Sequence, residues 1–165
     1  KDELLENVAE YIVEHNIETT NLSLQKLLYY CQLFSYVLFD KPMFKSTCNA
    51  WEHGPVYKDV YYKYKMNGNN PIESTNSISI DLDTKKLVDA IIDNFGCFSG
   101  AVLCYFTHSE SPWKKSYDIA SNIDNCDLKS FANKLKEEYQ INDISDIDKY
   151  VKASITNFKK NRGIN

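Results

Sequence analysis

The residues of this 165-residue chain that could do chemistry are few and widely spaced. Cys104 and His108 stand four apart, neighbours on one helical face, a spacing at which an imidazole can take the proton of a thiol and generate a nucleophile. Cys104 lies inside the apolar run Ala101 to Phe106, however, where a small thiol is ordinarily buried and inert. Cys48 and His53 combined with Cys104 and His108 would offer two sulfurs and two nitrogens to a tetrahedral zinc ion. Neither pair sits on a tight knuckle and about fifty residues separate them, so coincidence is the better reading. Glu137, Glu138, Asp143, Asp146 and Asp148 crowd a polar stretch with no histidine or glycine-rich loop beside them and read as a solvated face. The nucleophile elbow, the zinc-protease pair, the phosphate loop and the dinucleotide fingerprint are all missing. The chain therefore reads as no enzyme, with no catalytic residue, no metal ligand and no cofactor.

The most unusual stretch is Trp51-Glu52-His53-Gly54-Pro55-Val56-Tyr57. It admits two readings. In the first it is a structural corner, with Gly54 relieving backbone strain, Pro55 fixing the turn, Trp51 packed beneath and His53 bonded to backbone. In the second it is a recognition surface, because Tyr and Trp bury large, rigid area at low entropic cost and concentrate at binding hot spots.

Composition bounds the partners. A formal charge of −4 and a single arginine, Arg162, among 19 basic residues argue against nucleic acid, which asks for a positive field and for bidentate guanidinium contacts. The lysines near the C-terminus, from Lys149 to Lys160, read as solvated helix surface. The longest apolar run, Leu27 to Phe39, falls short of the roughly 20 residues that cross a bilayer, so no membrane partner is expected. Five scattered cysteines without paired spacing suit a reducing, cytoplasmic setting. Aromatic residues make up 13% of the chain, so much amphipathic ring surface must be packed or offered to a partner.

The elements that would position these residues follow from periodicity. Leu4, Val8, Tyr11, Ile12 and His15 mark a first amphipathic helix, and Leu22 to Phe39 a second that is apolar nearly all round and hence central. Pro55 is expected in the first turn of a helix running to about Met66, with Tyr57, Tyr61 and Tyr64 on one face. Ser46 to Trp51 and the alternating Ser77 to Leu82 are expected as the two strands of a small ribbon. Further helices are read around Leu87 to Phe95, Ser99 to Thr107, from Ser111 as N-cap with Pro112 behind it, around Leu128 to Tyr139, and from near Ser145 to Phe158. The fold class is mainly α: one compact helical domain of about seven helices spanning 1–165, with a small two-stranded β ribbon.

The ordered segments Leu24-Gln25-Lys26-Leu27-Leu28-Tyr29-Tyr30, Pro42-Met43-Phe44, Ala50-Trp51-Glu52-His53-Gly54-Pro55-Val56 with Tyr61 and Lys65, and Thr107-His108-Ser109-Glu110-Ser111-Pro112-Trp113-Lys114 resemble the motif set of the Panacea, or SocA-like, antitoxin domain. The resemblance spans roughly Leu5 to Tyr117, and residues 120–165 lie outside its motifs. It departs from the commonest pattern at Tyr30 and Cys31. It implies a helical, non-enzymatic protein-binding module of bacterial or prophage origin. The partner so implied is a cognate toxin neutralised by direct binding; the alternative is an adaptor that delivers a client to a ClpXP-type protease. A homodimer is left open. The residues singled out for partner binding or as motif positions are Trp51, His53, Gly54, Pro55, Val56, Tyr57, Tyr61, His108, Pro112 and Trp113.

Overall fold

The structure, a computed structural model, describes residues 1–119 and 121–163; of the expected span 1–165, Ala120, Ile164 and Asn165 lie outside the described residues. Eight α-helices and one two-stranded ribbon make up the described chain, as expected of a mainly α domain. Helix α1 (Glu3–His15) starts at Asp2, whose carboxylate accepts from the Leu5 N–H at 3.2 Å and reaches across to the Ser46 N–H at 2.8 Å. Helix α2 (Asn21–Phe39) opens on a reciprocal Thr20–Ser23 cap and stops where Asp40 turns left-handed at φ 56°. The helix thus ends at Phe39, the bound expected from the sequence.

Every position of α2 from Ser23 to Val37 is buried, so its polar side chains must find partners inside the protein. They do so by clamping the segments that pass over the helix. Gln32 accepts from the Met43 and Phe44 N–H groups, both at 2.8 Å, and donates to the Phe44 carbonyl at 3.1 Å. Gln25 accepts from the Tyr57 N–H at 2.8 Å. Tyr30 stacks on Phe95 with centroids 4.1 Å apart, and Phe34 lies beside both rings. The long central helix is the wall against which α1, α3 (Lys58–Tyr64), α4 (Leu82–Phe95), α5 (Gly100–His108) and α7 (Asn125–Tyr139) all pack.

Three local expectations are corrected. Ser46 to Trp51 does contribute a strand, β1 (Asn49–Trp51), but its partner is β2 (Gly54–Val56), not Ser77 to Leu82. The two-residue turn Glu52–His53 joins the strands, and Trp51 faces Gly54 in the register. Residues 71–81 run without regular structure, and Asp81 caps α4 by accepting from the Thr84 N–H, so that Leu82 becomes the first helical residue. An Asp cap before Asp83 and Thr84 outweighs a short alternating pattern that has no neighbouring strand to pair with.

Pro55 lies in the middle of β2 opposite Ala50, and the helix begins only at Lys58. Pairing with β1 keeps Pro55 and Val56 extended, and capture of the Tyr57 N–H by Gln25 holds the chain out of helical geometry for one residue more. The helix also ends early, at Tyr64, with a 3₁₀ turn over Lys65–Asn67. The third correction concerns α6 (Ser111–Asp118), where Glu110 is the cap residue and Ser111 already helical. Helix α8 (Ile147–Asn161), preceded by a 3₁₀ turn at Ile144–Asp146, closes the domain against α4, α5 and α7.

Candidate functional site

Beneath the β1–β2 ribbon, two helices fix its shape. From α6, the Trp113 indole N–H donates to the Trp51 carbonyl at 2.7 Å. From α2, the Lys26 ammonium donates to the Pro55 carbonyl at 3.3 Å. Gly54 sits between these holds at φ +103°, and a Cβ there would stand 2.7 Å from Lys26 Cε and 2.9 Å from Thr107 Oγ1. Glycine is needed twice over, for the backbone angle and for room.

The rings of this region sort into two groups. Trp113 is buried and forms the middle of a stack, with His108 at 3.9 Å on one side and Tyr117 at 4.5 Å on the other. Tyr57 is buried and meets Phe44 edge-on at 5.6 Å. These two rings support the surface from within. Trp51 and Tyr61 are half-buried, with centroids 5.0 Å apart, and Tyr62 completes the cluster at 57% exposure. Tyr117 is also exposed. Gly54, Pro55, Val56 and Pro112 are buried backbone-shaping positions, while His53 points its turn position to solvent. Trp51 is therefore packed across Tyr61 at the edge of the ribbon and not beneath the corner.

A cavity of about 650 Å³ opens between the ribbon, the first two turns of α2 and α3. Its walls include Trp51, Tyr61, Tyr117, Leu22 and Val56, and Lys26 lies in its lining. Lys26 is fully buried, and burial pushes its amine down to about 8. The sign of its effect follows: the unfolded chain holds this proton more tightly, so stability from this group rises as pH climbs from about 8 toward 10.5 and its charge is a cost at neutral pH.

Cys104 and His108 do meet, with the sulfur 3.4 Å from Nε2, because α5 continues through His108. Burial raises the Cys104 thiol despite the charge of Lys26, and burial lowers the His108 imidazole despite the Glu52 backbone. Both shifts favour a neutral thiol beside a neutral ring, the reverse of an activated thiolate–imidazolium pair. Cys48 is buried with its thiol pushed up to about 12. No group of three or more His, Cys, Asp or Glu that could hold a metal ion occurs among the described residues.

Two charged residues of the motif segments were not among the residues singled out for partner binding. One is Lys26. The other is Glu110, 3% exposed, whose carboxylate accepts from the Tyr29 hydroxyl at 2.9 Å, the Tyr30 hydroxyl at 2.8 Å and the Tyr150 hydroxyl at 2.5 Å. Burial pushes Glu110 up to about 7 against the pull of these donors. The signal for Lys26 was present: a lysine amid Leu24, Leu27 and Leu28 on a helix apolar all round has no solvent face to reach. Glu110 carried no such signal, because its partners come from α2 and α8, distant in sequence. Tyr30, one of the two departures from the commonest motif pattern, is one of those partners.

Replacing Trp113 by phenylalanine keeps a ring in the stack and removes the donor to Trp51. The expected loss is about 1–2 kcal/mol, one buried hydrogen bond plus a small void, read by urea denaturation.

Helices packed around a buried central one, with a clamped ribbon bordering a ring-walled cavity, thus form the scaffold of the motif residues. Comparison with known families matches residues 24–114 to the antitoxin SocA-like, Panacea domain. The chain belongs to that family. No curated protein and no solved structure gave a significant match. No single helix among the described residues is long and apolar enough to cross a membrane.

Proposed function

We propose that this chain is an antitoxin that neutralises a cognate toxin by direct binding, with the Trp51–Tyr61–Tyr62 cluster and Tyr117 as the contact surface. Membership of the antitoxin-like family supports a protein partner. The observation that carries the choice of face is the set of exposed or half-exposed rings at one cavity, with Trp51 on the ribbon that α2 and α6 hold, Tyr61 and Tyr62 beside it on α3, and Tyr117 on α6. Rigid aromatic side chains lose little entropy on docking and repay it with large buried area. Trp113, Tyr57, Gly54, Pro55, Val56 and Pro112 act behind this surface by fixing its shape, and His108 by stacking on Trp113.

Co-expression with the product of the adjacent gene tests the proposal. The wild-type chain restores growth and co-purifies with that product, and the double variant Trp51→Ala, Tyr62→Ala loses rescue while melting within a few degrees of wild type. Absence of both complex and rescue in the wild type overturns the reading. Following the partner's half-life with and without this chain separates neutralisation by binding from delivery to a ClpXP-type protease.

A further inference from the structure

We infer that the cavity beside the ribbon is a binding site for a small organic acid, whose carboxylate meets the Lys26 ammonium while its apolar body lies against Trp51 and Tyr61. The starting point is an unbalanced charge. Lys26 is fully buried, yet among the described residues its only hydrogen bond is to the neutral Pro55 carbonyl at 3.3 Å, and no carboxylate lies within ion-pair distance. An ammonium has three protons to place, so two are left over. The nearby thiols do not supply the missing anion, since burial raises both Cys48 and Cys104 away from ionisation. Buried charges are ordinarily paired, because an isolated one is costly.

The fold protects this arrangement. Gly54 lets the ribbon backbone lie close against the Lys26 side chain, where a Cβ would stand 2.7 Å from Cε and 3.3 Å from Nζ. Lys26 borders the cavity with its side chain covered from solvent, so an acid reaches the ammonium by displacing the wall that covers it. The volume of about 650 Å³ suits a small molecule, and the lining sets the apolar wall of Leu22, Trp51, Val56 and Tyr61 against polar side chains such as Asn21 and Gln25. One buried cation, with Glu52 and Lys65 both exposed at the rim and opposite in sign, favours a monoanion over a multiply charged phosphate.

This inference does not rest on toxin binding, although both use Trp51 and Tyr61, and its test needs no partner. The ¹⁵N-labelled protein is titrated with phenylacetate, indole-3-acetate and hexanoate, each against its neutral primary amide, following the two indole N–H signals and the Lys26 ¹⁵Nζ resonance. At least one acid is expected to shift these signals saturably and to bind tenfold or more tighter than its amide, with the Lys26 Nζ signal moving for the acid alone. In Lys26→Met the acid and amide are expected to bind within about twofold of each other. The Nζ readout in the wild-type protein decides the matter even if this variant fails to fold. Equal binding of acids and amides, an unmoved Nζ signal, or no saturable shift with any of them overturns the assignment. So does a phenylalanine-ended peptide that binds more than tenfold tighter than every free acid, which would assign the cavity to a polypeptide end.

Discussion

Glu110→Ala is expected to lower stability by about 4 kcal/mol, a fall in melting temperature of roughly 8–16 °C for a domain of this size, read by thermal denaturation. The substitution orphans the hydroxyls of Tyr29, Tyr30 and Tyr150, each buried and each pushed well above the ordinary tyrosine range, so all three remain protonated donors with nothing to receive them. In the wild type Glu110 ties together elements that no local interaction joins: α2, the cap of α6, and α8. The pH dependence carries a distinct signature. With Glu110 near 7 in the folded state and 4.5 in the unfolded, the folded protein binds more protons between those values, so this group's contribution falls as pH rises from about 4.5 to 7. The full swing is about 3 kcal/mol at 1.36 kcal/mol per pH unit. His108, whose ring is shifted downward, slopes the opposite way below 6.5. The difference in stability between wild type and Glu110→Gln isolates the glutamate: it is expected to move in favour of the glutamine variant as pH rises through that window. A difference flat with pH would show that the tyrosine donors offset burial completely.

Gly54→Ala is the second large effect expected, about 3–4 kcal/mol from a backbone angle that L-residues avoid and from overlap with Lys26 and Thr107. In urea the midpoint should drop with the slope unchanged, as for a folded state destabilised without a change in what unfolding exposes. Gly68, also at positive φ but with open space around it, provides the comparison. Its alanine variant is expected to lose only about 1–2 kcal/mol, the backbone cost alone. Equal losses at the two glycines would mean that contact with Lys26 contributes nothing. Because Gly54 holds the far end of the ribbon against α2, its alanine variant is also expected to weaken any complex built on Trp51.

The helices were largely legible because each carries its own local grammar. The stripes of α1, α4, α7 and α8 repeat with helical period, and α2 announces its central place by lacking a polar face. The ribbon was half legible. Ser46 to Trp51 read as extended, but its partner was sought in Ser77 to Leu82, since alternation speaks of a face and not of a neighbour. Pro55 was misplaced for a related reason: a proline after glycine suits both a helix start and a short edge strand, and only Gln25, reaching from α2 to the Tyr57 N–H, separates the two.

For the candidate site, residue type alone identified the Trp51 to Tyr57 stretch as unusual and marked Trp113 and His108 as motif positions. It could not sort rings that face solvent from rings that brace them, which depends on a stack formed across α5 and α6 and on a hydrogen bond to Trp51 from a residue 62 positions away. The amino-acid order by itself determined the helical class, the central helix and the family motifs, because periodicity and spacing are properties of neighbours along the chain. Tertiary structure alone decided where Glu110 finds its three donors and that Lys26 borders a cavity without a counter-ion. Electrostatic pairing is set by groups brought together from distant elements, and the spacing of residues along one segment carries no record of it.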